Sequence, residues 1–221
     1  MKARIAIDGP AGAGKSTVAR AVAKRLNLTY LDTGAMYRAV TLAALRNGTD
    51  LHDQKALEAL TLSLQLDIQT DDKGNNIVFL NGEDVTTAIR DPLVNRHVSI
   101  VALYPEVRRL MVQKQREISK RGGVVMDGRD IGTHVMPDAE YKFFLTASLE
   151  ERAKRRQAEL QAAGKEISYE QVLEEIAARD KIDSEREHSP LRAAKDAILI
   201  DTTELSVAEV VDTIIKKVVV A

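Results

Sequence analysis

Gly9-Pro10-Ala11-Gly12-Ala13-Gly14-Lys15-Ser16 matches the spacing G-x-x-x-x-G-K-[ST], and the chemistry of that spacing is phosphate binding. Glycines let successive backbone N–H groups turn inward around phosphate oxygens. A helix that starts at the end of such a loop adds unpaired N–H groups and the positive end of its dipole. Lys15 brings a full positive charge, Ser16 a hydroxyl that suits Mg²⁺, and Thr17 continues the run. An ordinary glycine-rich βα turn shares the composition, but Gly14-Lys15-Ser16 stands where the helix must begin.

Three further stretches carry groups suited to the same task. Asp32-Thr33-Gly34-Ala35-Met36-Tyr37-Arg38 follows a short apolar run, which puts it at the carboxyl edge of a sheet, where open α/β folds bind ligands. Thr33 reads equally as the cap of the next helix, and Arg38 as a solvated charge. Val124-Val125-Met126 ends in Asp127-Gly128-Arg129-Asp130, like a buried strand whose Asp reaches Mg²⁺ directly or through water. Arg179, Asp183 and Arg186 continue the apolar stripe of Tyr169, Val172, Leu173 and Ile176. Charges on an inward stripe are costly unless paired with each other or with a ligand. Arg108 stands in the first turn of a helix, where the dipole disfavours a cation, so a ligand is the better reason for it. Arg152, Arg155 and Arg156 read as a solvated helix face or as a lid over ATP.

The elements that must position these groups are legible from period and punctuation. Residues 3–8 and 28–31 read as strands, with helices over 17–26 and from Thr33 to about Asn47-Gly48. A helix is expected near 54–64. The period then changes to alternation over 66–70, the apolar run 77–80 reads as a second strand, and Asn81-Gly82 signals a hairpin, with a brief third strand around Val85. Pro105 opens a helix that ends before Gly122-Gly123. Strands follow at 124–126, 141–145 and 197–201. Ser148 with Glu151, and Ser206 with Glu209, read as capping boxes. Val207, Val210, Val211, Ile214, Ile215 and Val218 give the last helix a regular apolar face.

The bulk composition limits the function. The chain has 221 residues, 44% of them hydrophobic and 29% charged, with net charge −1 and no cysteine. That balance fits one α/β domain with an insertion, argues against a nucleic-acid polymer as main partner, and excludes disulfides and thiol catalysis. His52, His97, His134 and His188 are scattered without metal-ligand spacing. The opening residues lead straight into the first strand and no apolar run approaches a membrane span, so a soluble cytoplasmic protein without a signal peptide is expected.

One phosphate loop with so many candidate arginines points to a second phosphorylated substrate. An acceptor that is itself a phosphate oxygen is already an anion and needs no general base; none is evident.

The four motifs Gly9 to Thr17, Asp32 to Arg38, Asp127-Gly128-Arg129-Asp130-Ile131-Gly132-Thr133 and Arg179-Asp180-x-x-Asp183-x-x-Arg186 resemble, in order, the signatures of bacterial cytidylate kinases. The resemblance implies ATP + CMP (or dCMP) ⇌ ADP + CDP (or dCDP) with Mg²⁺. It implies a P-loop kinase fold: a parallel sheet of about five strands with helices on both faces, a small antiparallel insertion and a helical lid. The core is expected at 1–59, 99–150 and 191–221, the CMP-binding insertion at about 60–98 and the lid at about 151–190, all in one monomeric domain. By motif, Gly9, Pro10, Ala11, Gly12, Ala13, Gly14, Lys15, Ser16 and Thr17, with Arg152 and Arg156, bind ATP, and Ser16 and Asp127 serve the metal. Lys15, Arg129 and Arg179 act on the transferred group. Thr33, Arg38, Ser99, Arg108, Gly128, Arg129, Asp130, Arg179, Asp183 and Arg186 surround CMP. Many relatives carry Ser where this chain has Thr33.

Adenylate and shikimate kinases share the loop but not the Asp-Gly-Arg-Asp and Arg-x-x-x-Asp-x-x-Arg pairs. A GTP-dependent switch would want an Asn-Lys-x-Asp guanine reader, absent from the chain. Arg108 is expected to set the preference for cytosine, because a guanidinium only donates, whereas a rotatable Thr33 hydroxyl is expected to discriminate poorly.

Overall fold

A computed structural model describes residues 3–219. Its main sheet has five parallel strands in the order β2-β6-β1-β7-β8: β1 (Arg4–Asp8), β2 (Thr29–Asp32), β6 (Val124–Gly128), β7 (Tyr141–Thr146) and β8 (Ile198–Asp201). The central strands are apolar on both faces because helices cover both. Ile5, Ile7, Val125, Phe143 and Leu145 point into a core shared with α1 (Lys15–Leu26) and α8 (Val207–Val219). Ala6, Val124 and Met126, one residue out of phase, face the opposite core with Leu31, Ile131 and Met136. The apolar face expected of α8 is the one buried, through Val210, Val211 and Ile214, and its Ser206–Glu209 capping box is made in both directions.

α2 (Thr33–Arg46) lies almost wholly buried between the sheet and α3 (Gln54–Ser63), α4 (Pro92–Val101) and α5 (Pro105–Ser119). A second, antiparallel sheet joins β3 (Leu66–Thr70), β4 (Asn76–Leu80) and β5 (Glu83–Asp84). Its β4–β5 turn is Asn81-Gly82 with φ of 51° and 84°, the mirror-image turn whose twist matches a hairpin. β5 stops short of Val85, which is buried instead. Asn76 fixes this sheet to the main one. Its Oδ1 accepts from the N–H of Asp32 (2.6 Å) and its Nδ2 donates to the carbonyl of Tyr30 (2.7 Å) on the β2 edge.

Two local expectations are corrected. Asp32, not Thr33, caps α2, its Oδ1 accepting from the N–H of Ala35 at 3.0 Å. Ser148 caps α6 (Leu149–Ala162) without a reciprocal box, because its own N–H donates to Thr203 and Glu151 turns to Arg155. α4 crosses the boundary expected at 98–99 and is not among the expected elements, although Asp91 accepts from the N–H of Leu93 and Pro92 opens the helix, an ordinary start signal. α6 and α7 (Tyr169–Glu185) pack together through Ala153, Leu160, Val172 and Ile176, and Ser168 with Gln171 boxes the start of α7.

Candidate active site

The glycine loop between β1 and α1 is held in place by its neighbours. Gly9 has φ 149°, and a Cβ there would sit 2.0 Å from the carbonyl oxygen of Leu145, so only glycine fits. The Lys15 ammonium donates to the carbonyl of Pro10 inside the loop. Burial, and then the charge of Arg129, push its pKa well below the ordinary lysine range. Ser16 Oγ donates to Asp127 Oδ2 (2.8 Å), while Tyr30 OH donates to Asp127 Oδ1 (2.8 Å). Burial and nearby Asp32 raise the Asp127 pKa, with Lys15 opposing them.

Facing this loop are three buried clusters of arginine and aspartate. Asp32 Oδ2 accepts from both Arg38 and Arg90 at 2.7 Å. Burial alone would raise its pKa, but the two guanidinium groups outweigh it and hold it at about 2. Arg108 donates to Asp130 Oδ2 (2.6 Å) and to the carbonyl of Ala102 (3.2 Å), and lies 5.3 Å from the centre of the Tyr37 ring. Arg129 donates to Asp183 Oδ2 at 2.8 Å, with Arg186 at 3.8 Å and Arg179 at 4.0 Å from the same carboxylate. Burial would raise the Asp183 pKa; Arg129, Arg179 and Arg186 bring it below the usual range. Burial and the neighbouring Arg129 lower Arg179 to about 10.

The two halves line one cavity of about 520 Å³. On the loop side the expected residues Ala11, Gly12, Gly14, Lys15, Ser16, Thr17 and Arg156 border it. On the other side do Thr33, Arg38, Ser99, Arg108, Gly128, Arg129, Asp130, Arg179, Asp183 and Arg186, with Asp127 between the halves. Gly9, Pro10 and Ala13 shape the loop without bordering the cavity. Arg152, expected to face ATP, does not border it either. Its guanidinium donates to the carbonyls of Ala147 and Ala11, both at 3.0 Å, and to Asp180. The solvated-face reading of this arginine is therefore also set aside: its side chain is only 8% exposed.

Thr33 also differs from expectation. Its Oγ1 lies 2.7 Å from the carbonyl oxygen of Asp127. A carbonyl only accepts, so the hydroxyl proton is spent there and the oxygen presents only lone pairs to the cavity. Thr33 is a fixed acceptor.

Sequence reasoning missed several participants. Arg90 stands in no motif, and only the fold brings it to Asp32. Asp8, at the end of β1, accepts from the N–H groups of Ile131 (2.8 Å) and Gly132 (2.7 Å) and so holds the turn that follows Arg129 and Asp130. Burial raises its pKa to about 7 against the effect of those two bonds. A carboxylate closing an apolar strand was the available signal. Tyr37 was part of a quoted motif, but its stacking on Arg108 depends on the packing of α2 against α5.

A family model described as cytidylate kinase matches residues 5–219. This chain belongs to the cytidylate kinase family. A cytidylate kinase of Bacillus pumilus is 57% identical over 214 residues, covering 97% of this chain and 95% of that protein. One from Bacillus subtilis is 55% identical over 217 residues, covering 98% and 96%. Among solved structures, an uncharacterized protein from Eubacterium ventriosum aligns with TM-score 0.55 at 14% identity over 100% of both chains. A gluconokinase from Sinorhizobium meliloti aligns with TM-score 0.50 at 14% identity, covering 99% of this chain and 93% of that one. These two likenesses concern the fold alone. No helix among the described residues is long and apolar enough to cross a membrane.

Proposed function

We propose that this protein transfers the γ-phosphoryl group of ATP to CMP or dCMP, giving ADP and CDP or dCDP, and that it works with Mg²⁺ as a cytoplasmic monomer. One observation carries the reading beyond family membership. Among the described residues Arg38 Nε, Arg108 Nε, Arg179 Nε and Arg186 Nη2 are buried donors with no hydrogen-bond acceptor, the last two coming no nearer than 4.0 Å to a carboxylate, and all four arginines border the cavity. Buried donors are costly to leave unpaired, and an anionic nucleotide supplies the acceptors they lack.

Gly9 to Thr17 would cradle the phosphates of ATP, with Arg156 above them. An oxygen of the CMP phosphate forms the new bond to the γ-phosphorus as the bond to the β,γ-bridging oxygen breaks, and ADP leaves with that electron pair. The nucleophile is already an anion, so no side chain need remove a proton. Lys15, Arg129 and Arg179 would neutralise the moving charge, and Arg38 would anchor the acceptor phosphate. Ser16 fits a Mg²⁺ ligand: its proton is committed to Asp127, which leaves oxygen lone pairs for a hard cation. Asp127 would hold that ion directly or through water. When bound, the ion supplies further charge neutralisation at the phosphate oxygens.

Asp183 would take the ribose hydroxyls. Thr33, Ser99, Gly128, Arg108, Asp130 and Arg186 would form the base corner, with Thr33 accepting from the exocyclic amino group of cytosine and Arg108 donating to the ring. The hairpin insertion and the α6–α7 lid would close over the two nucleotides. A coupled ADP-release assay across CMP, dCMP, UMP, AMP and shikimate tests the assignment. CMP and dCMP are expected to give the highest kcat/KM; preference for AMP or shikimate would overturn it.

A further inference from the structure

Arg152 and Asp180 are built into the site but do not face the cavity. Arg152 lies in the first turn of α6 and spans three pieces of chain. Its Nε donates to Ala147, and its Nη1 is shared between the carbonyl of Ala11 in the phosphate loop and Asp180 on α7. The loop presses on this residue directly: a Cβ on Gly12, whose φ is 76°, would stand 2.9 Å from Arg152 Cβ and 3.0 Å from its carbonyl oxygen. The Ala11–Gly12 peptide is planar and trans, so its N–H points opposite to the carbonyl. Arg152 holds the carbonyl, and thereby turns the Gly12 N–H away from α6.

Asp180 meets Arg152 from the other side. It sits on α7 beside Arg179 and one turn before Asp183, the lid residues that border the acceptor half of the cavity. Its Oδ2 accepts from Arg152, while its Oδ1 is buried with no hydrogen-bond donor among the described residues. Asp183 in turn accepts from Arg129 on the core. A continuous chain of contacts therefore runs from the loop carbonyl through Arg152 to Asp180, and along α7 to Arg179 and Asp183. Both ends have a ligand-facing group: the loop peptide at one, the lid arginine and aspartate at the other.

We infer that Arg152 and Asp180 are positioning residues that couple the two nucleotide sites, so that a donor nucleotide in the phosphate loop favours the lid placement that binds the acceptor, and the reverse. The inference rests on the functional reading above. Coupling of this kind is reciprocal: each ligand must strengthen the other by the same factor. That gives an internal check which a purely structural contact does not provide.

The test is calorimetric titration of CMP, alone and with a saturating β,γ-imido ATP analogue and Mg²⁺, and of the analogue with and without CMP. In the unaltered protein each ligand should tighten the other by about fivefold or more. In Asp180→Ala, and in the milder Asp180→Asn, that factor should fall below about twofold. The analogue alone should still bind within about threefold of the unaltered protein, since the Arg152–Ala11 bond remains. A coupling factor that survives both substitutions would overturn the proposal, as would loss of analogue affinity with coupling intact. Unaltered protein that binds both ligands without coupling would overturn the proposal alone. Unaltered protein that binds the analogue but not CMP would overturn the functional reading and the proposal with it.

Discussion

Replacing Asp32 by Asn keeps the shape of the side chain and removes its charge. Oδ1 caps α2 through the N–H of Ala35, and Oδ2 accepts from Arg38 and Arg90. The single oxygen of Asn can keep the cap, but its amide group then confronts two guanidinium donors. The fall of the Asp32 pKa from 3.8 to about 2 corresponds to about 2 kcal/mol, at ~1.36 kcal/mol per pH unit. Breaking a buried ion pair costs about 3–5 kcal/mol. The Arg90 side chain is 55% exposed, so its share is screened and the lower end applies. A loss of about 3 kcal/mol, or about 6–12 °C in Tm for a chain of this length, is expected near neutral pH. The pH dependence follows from the sign. A carboxyl held below its unfolded pKa contributes its full stability above that pKa and loses it as pH falls through the folded one. The advantage of the unaltered protein over Asp32→Asn should thus be constant above about pH 5 and shrink between the Asp32 pKa values of 3.8 and about 2. Urea melts at a series of pH values measure it. A difference under about 0.5 kcal/mol at neutral pH, or one that persists undiminished into acid, would refute the reasoning.

Other substitutions test the chemistry. Lys15→Ala should lower kcat by roughly 10²-fold or more, read in steady-state assays on folded protein. Thr33→Val removes an acceptor that a cytosine amino group satisfies and a uracil carbonyl cannot. It should shrink the ratio of kcat/KM for CMP over UMP by roughly tenfold, and Arg108→Met should shrink it too; a ratio unchanged in both would remove these residues from base selection. Arg108→Met also strands the Asp130 carboxylate, so only the ratio, not the absolute rate, is informative there. Asp183→Ala should impair both CMP and dCMP, because both carry a 3′-hydroxyl; unaffected dCMP kinetics would restrict Asp183 to the 2′-hydroxyl.

Much was legible in the chain because its signals are local. The phosphate loop is set by Gly9, Gly14, Lys15 and Ser16 at their spacing, β1 follows from its short continuous apolar run, and α1 and α8 follow from the period of their apolar residues. Asn81-Gly82 dictates its own turn through its backbone preference. Asp127 at the end of an apolar strand and Ser16 in the loop each carry the signature of a metal-side group; that they bond to each other at 2.8 Å follows from the pairing of β1 with β6. Tertiary structure decided the direction of side chains and the company they keep. No spacing rule brings Arg90 to Asp32, 58 residues away, or Arg152 to Ala11, 141 residues away. Thr33 could be read as a cap or a rotatable hydroxyl until the carbonyl of Asp127, on a neighbouring strand, claimed its proton. Periodicity reports which face of an element is buried, because burial of apolar surface acts along the element itself. It is silent on which buried polar atom finds which partner. That choice depends on strand order and on helix packing, which join residues the chain keeps far apart.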